Sequence, residues 1–158
     1  MLVPRAVSRA ALTAEMRAAR AWAARKGWKI SISVRELRVT ARMAHPADGG
    51  DLILRGDFAD YRLLPPAWMF LTTGGNARVP AAWPSPGPVL GGSSIFHSVG
   101  VLCAQFNRLA YHDFAGPHPA WGGASNWLNV NEGVRADTVA DMLMAIRLHL
   151  QFSPGRMG

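Results

Sequence analysis

The chain has 158 residues, 49% of them apolar and 17% charged, which excludes a disordered chain and allows one domain with a substantial core. Its formal charge is +7, and fifteen of the seventeen cations are arginine once Lys26 and Lys29 are set aside. A single cysteine, Cys103, excludes an internal disulfide and a cysteine-based zinc cage, and the histidines lack metal-ligand spacing. No apolar stretch reaches the roughly eighteen residues of a membrane helix, and no apolar run precedes a small-residue cleavage site, so a cytoplasmic location is expected. The Arg-rich, nearly acid-free start has the composition of a mitochondrial presequence, but nothing separates it from the adjoining domain.

A first helix is expected from about Ser8 to Lys26, because Leu12, Met16, Ala19 and Trp22 recur at three- and four-residue steps. Gly27 is its stop. Arg9, Arg17, Arg20 and Arg25 lie mostly off that apolar stripe.

From Trp28 the period becomes two. Ile30, Ile32 and Val34 share one parity, and Leu37, Val39 and Met43 the other, so a turn or bulge is expected near Arg35-Glu36. The stretch HPADGG, His45 to Gly50, signals a hairpin. DLILRGDF is the next strand. Pro65-Pro66 then forms a rigid elbow before the strand AWMFLT, because proline fixes φ and has no N–H for a sheet.

Residues 74 to 92, rich in Gly and Pro, are expected to be irregular. A last helix is expected from a cap at Asp137, with Val139, Met142, Leu143, Ile146 and Leu150 on one face and SPG as its end. The order helix, antiparallel meander, long irregular segment, helix is an α+β pattern, read as one domain over 1–158.

Cys103 lies in IFHSVGVLCAQFNRLAYH, from Ile95 to His112. Flanked by Val101, Leu102 and Ala104, it reads on its own as a small core residue. Chemistry would need exposure and polar neighbours, which His97, Asn107, His112 and His118 could supply.

In register, the chain has Gly49-Gly50, a strand, Tyr61, three residues, Pro65-Pro66, a strand, and then Gly100-Val101-Leu102-Cys103. This resembles the ubiquitin-conjugating enzymes, whose pattern is Gly-Gly, strand, Tyr-x-x-x-Pro-Pro, strand and Gly-x-Ile-Cys. The match covers the meander and the Cys segment; the helices match by order. The family's His-Pro-Asn falls on His97-Ser98-Val99, so its Asn is missing, and His97 precedes Cys103 by only six positions. Bacterial members are similar here: they tend to lose His-Pro-Asn and carry Tyr-His and then Trp after the Cys, as Tyr111-His112 and Trp121 do. The C-terminal helical part is short for the family.

The resemblance implies that Cys103 takes a ubiquitin-like modifier from an activating enzyme as a thioester and passes it to an amine of a target protein. His112 becomes the first candidate to replace the missing Asn, ahead of Asn107 and His97. It also implies that Arg9, Arg17, Arg20 and Arg25 help dock the activating enzyme, and that a metal-dependent deconjugating protease acts in the same pathway, with antiviral defence as its setting. No cofactor is expected; the chain has no Gly-rich phosphate loop ending in Lys-Ser/Thr. An inactive relative acting as a protein-binding module is the alternative. Nucleic-acid binding by the basic face is the weaker one, because the six tryptophans occupy packing contexts rather than a platform for bases.

Overall fold

The computed structural model describes residues 1–89 and 91–158. Helix α1 (Arg5–Lys26) leads into four strands, β1 (Lys29–Ser33), β2 (Arg38–Ala44), β3 (Asp51–Asp57) and β4 (Ala67–Leu71), and the chain ends in α2 (Val139–Phe152). The sheet order is β1-β2-β3-β4 with every pair antiparallel, so the fold is the α+β meander between two helices expected from the sequence.

Each boundary has a local cause. α1 begins at Arg5 rather than Ser8, because Pro4 stands at its N-cap with a φ of −56° and the exposed residues Arg5 to Val7 extend the helix beyond the apolar stripe. It ends where expected. Gly27 takes a left-handed φ of 71°, and the backbone there reaches back to Ala23 and Ala24. The parity change is a hairpin turn: Ser33 pairs with Arg38, and the turn spans Val34 to Leu37. The α2 cap is Thr138, not Asp137. The Thr138 hydroxyl accepts the Asp141 N–H at 3.2 Å, while Asp137 is drawn to Arg135 at 3.2 Å. Such a cap contributes about 1 kcal/mol.

Leu12, Trp22, Val39, Ala41, Leu52, Leu54, Trp68 and Phe70 form a core between α1 and one sheet face, closed by Val139, Met142, Leu143, Ile146 and Leu150 of α2. Glu15 joins the parts. Its carboxylate accepts the Tyr61 hydroxyl at 2.8 Å, the Arg62 guanidinium at 3.4 Å and the Val139 N–H, at the first residue of α2, at 2.7 Å. Trp22 and Leu148 line one groove further along, so the two helices run side by side in the same direction.

Between β4 and α2 the described chain is mostly irregular, as expected for 74–92, except for Leu90, which lies outside the described residues. It holds short 3-10 turns at Pro80–Ala82, Arg108–Ala110, His112–Phe114, Pro119–Trp121 and Ala124–Asn129, and a two-stranded hairpin of β5 (Phe96–His97) and β6 (Val101–Leu102). α2 is the only α-helix after the sheet among the described residues. No described helix is long and apolar enough to cross a membrane.

Candidate functional site

The site is built on the β5–β6 hairpin. Phe96 pairs with Leu102 and His97 with Val101. Gly100 closes the turn at a φ of 80°, and its N–H donates to the His97 carbonyl at 2.9 Å; this is the physical use of the first residue in Gly-x-x-Cys. Phe96 and Leu102 are buried, with Phe96 packed edge-on against Phe70 of β4 at 5.8 Å. Side chains alternate along an extended chain, so Cys103 shares the outward face of Val101 and His97. It is half-buried.

The backbone at Cys103 is fixed from both sides. The Cys103 N–H donates to the Ile95 carbonyl at 2.7 Å, and the Ile95 N–H donates to Nδ1 of buried His149, on α2, at 3.1 Å. Burial lowers the His149 pKa, which favours the neutral ring that this acceptor role needs.

The elbow holds the chain just beyond Cys103. Without N–H groups, Pro65 and Pro66 offer only carbonyls, and both accept from Arg108: Pro65 from Nε at 2.9 Å, Pro66 from the backbone N–H at 3.1 Å. The Arg108 guanidinium also donates to the carbonyls of Asp57, at 3.2 Å, and Ala59. Asn107 does the same for the edge of β4. Its Oδ1 accepts the Trp68 N–H at 2.8 Å, and its Nδ2 donates to the carbonyls of Trp68 at 3.2 Å and Leu102 at 2.8 Å. Its side chain thus pairs with β4 as a neighbouring strand would. The Leu109 N–H adds a fourth contact at 3.3 Å.

These contacts separate the sequence candidates. Asn107 is fully buried and both of its N–H donors are engaged, so in this arrangement it is a brace and has none left for an oxyanion. His112 is largely exposed, with Nδ1 3.4 Å from the Asp113 carboxylate. His97 stands on the face that Cys103 shares, and its Nδ1 accepts from the Val99 N–H at 3.4 Å. His118 lies flat on Trp121, with ring centroids 4.1 Å apart and planes 4° apart. Burial, and then repulsion from the neighbouring His97, lower its pKa, while Glu132 opposes them. His118 thus senses the charge of both His97 and Glu132. Gln105 fixes the last of these, its Nε2 donating to the Glu132 carbonyl at 2.7 Å.

Burial alone pushes the Cys103 thiol up to about 11, with no cation to offset it. At neutral pH the thiol form therefore dominates more strongly than in an ordinary cysteine. Among the described residues no three His, Cys, Asp or Glu side chains group as a metal site would require.

The four arginines of α1 divide. Arg9 donates to the Arg35 carbonyl at 3.2 Å, beside Arg5. Arg17 and Arg20 are exposed and have no hydrogen bond or ion pair among the described residues. Arg25 stands with α2 at the rim of a separate groove.

Sequence reasoning missed Arg108, Gln105 and His149. Their one signal is polarity inside apolar runs, AQFNRLA for the first two and IRLHL for the third. Comparison with protein-family models, with curated proteins and with solved structures finds no match.

Proposed function

We propose that the chain is a ubiquitin-conjugating-like enzyme that carries a ubiquitin-like modifier on Cys103 and transfers it to an amine of a target protein. The observation that carries the reading is the placement of Cys103: half-buried on the outward face of a hairpin, behind a proline elbow whose carbonyls brace the segment just after it. The register of Tyr61, Pro65-Pro66 and Gly100-x-x-Cys103 agrees with it.

In the charging step, the Cys103 sulfur attacks the thioester carbonyl of the modifier on the activating enzyme. One C–S bond forms, another breaks, and the proton of Cys103 ends on the departing sulfur. The exchange is thioester for thioester, so it needs little driving force, and the rare thiolate of a weakly acidic thiol is a strong nucleophile. In discharge, an amine attacks the Cys103 thioester, loses a proton and expels the Cys103 sulfur. A group that takes the proton from nitrogen and returns it to sulfur assists both ends of this step. In this reading one of the imidazoles serves that role: His97, on the same hairpin as Cys103, or His112 or His118 in the segment after it.

With activating enzyme, ATP and modifier, wild type should form a thiol-sensitive adduct that Cys103→Ala abolishes. An adduct that persists in Cys103→Ala would sink the proposal. Single-turnover discharge to lysine, compared for His97→Ala, His112→Ala and His118→Ala, identifies the proton carrier as the variant slowed about a hundredfold with normal charging.

The weakly acidic thiol and the committed Asn107 favour a second reading, an inactive relative that binds partners without chemistry. The same assay separates the two, since an inactive relative forms no adduct while a known conjugating enzyme does so beside it with its own partners.

A further inference from the structure

The C-terminal halves of α1 and α2 enclose a groove of about 370 Å3, lined by Trp22, Arg25, Lys26, Met144, Arg147 and Leu148. Met144 and Leu148 lie four residues apart, on one face of α2, and each is 52% exposed. Large apolar side chains left open side by side on a helix signal a contact surface when polar groups rim them. Here every rim residue is a cation, and no acid lines the groove.

Cations near helix C-termini offset the helix dipole, and Arg25 and Lys26 in the last turn of α1 do so. That role leaves the Met144–Leu148 pair unexplained. Trp22 also lines the groove, and its buried indole N–H has no acceptor among the described residues. Apolar floor and cationic rim together describe the complement of an acidic amphipathic helix. A second copy of this chain fits badly, because it would bring Arg25, Lys26 and Arg147 against the same three cations.

We propose that this groove docks an acidic amphipathic helix of a partner protein, its apolar residues seated on Met144 and Leu148 and its carboxylates facing Arg25, Lys26 and Arg147. The groove is distinct from the Cys103 face and does not depend on thioester chemistry. Arg25 is also set apart from Arg20: five residues later on a helix, it is turned about 140° away from it.

The test uses the full chain and a labelled helical peptide with leucines at i, i+3, i+4 and i+7 and glutamates on both flanks. A second peptide carries lysine in place of glutamate. The acidic peptide should bind, shift the Met144 methyl and Trp22 indole resonances, and lose about tenfold in affinity between low and moderate salt. The double variant Met144→Glu with Leu148→Glu should weaken it at least tenfold, and Cys103→Ala should not change it. Should the double variant fail to fold, Lys26→Ser with Arg147→Ser should produce the same loss. Equal binding of the lysine peptide, or binding that survives both sets of substitutions, would overturn the proposal. So would Met144 shifts that follow the concentration of the chain itself, or that appear with anionic vesicles and not with the peptide.

Discussion

Asn107→Ala separates a brace from a catalytic group. Truncation removes the partners of four backbone groups, three of them buried, the Trp68 N–H, the Trp68 carbonyl and the Leu102 carbonyl, and one part-buried, the Leu109 N–H, around a fully buried side chain. Each buried group left without a partner costs about 1–3 kcal/mol; with some relaxation and water entry, the sum is about 3–5 kcal/mol. A domain has about 5–15 kcal/mol in all. With a urea slope of about 2 kcal/mol per molar, the midpoint should fall by about 1.5–2.5 M at unchanged slope. The variant also frees the hairpin from β4, so Cys103 should react faster with a thiol reagent in water. A catalytic Asn predicts the reverse pattern, a near-normal urea midpoint with slow discharge. A midpoint within about 0.5 M of wild type would refute the brace and return Asn107 to the oxyanion role.

The Cys103 thiol, pushed up to about 11, should alkylate with iodoacetamide at a rate that rises about tenfold per pH unit from 7 to 10; a plateau near pH 9 would contradict the apolar setting. Reversing exposed Arg17 and Arg20 to Glu should slow charging of Cys103 at low salt while leaving the urea midpoint and the discharge of preloaded protein unchanged; charging kinetics equal to wild type across a salt series would remove these arginines from the docking surface. Hydrogen bonds from the backbone of Arg156 and Gly50 hold the Asp48 carboxyl down at about 2. A depressed folded-state pKa stabilises above the unfolded value near 4 and loses that effect as pH falls through about 2. Asp48→Asn should therefore flatten the decline of the unfolding midpoint between pH 4 and 2, and an unchanged decline would assign acid lability elsewhere.

Elements set by periodicity and local chemistry were legible in the sequence. Leu12 to Trp22 on α1, the parity change around Arg35, the HPADGG hairpin and the α2 face each depend on neighbours a few residues away. Where two neighbours could do the same local job, the expectation fell on the wrong one: Asp137 was expected as the α2 cap, and Thr138 holds it. Asp137 and Thr138 both cap helices, and the nearby Arg135 decided between them. The elbow before β4 was legible in the sequence, but not the roles of the polar residues that it meets. Asn107 looks catalytic in QFNRLAYH because a polar residue near a cysteine invites that reading. Only its contacts with Trp68, 39 positions earlier, reveal the brace. Arg108 likewise bonds to Pro65, 43 positions away, and His149 to Ile95 at 54. Partners that distant leave no mark on local spacing.

The bond from Val139 to Glu15 crosses 124 positions, whereas the four strands pair only with their neighbours in the chain. Contacts that close long loops form slowly, after local ones. The meander is therefore expected to assemble while α1 is still loosely attached, and α1 to take its final place when α2 arrives. During synthesis, Trp22 and Leu12 would stay uncovered on their α2 side until the last helix has left the ribosome, a period in which a chaperone is a natural companion. Pulse-labelling hydrogen exchange during refolding, with strand amides protected before those of α1, would mark that order.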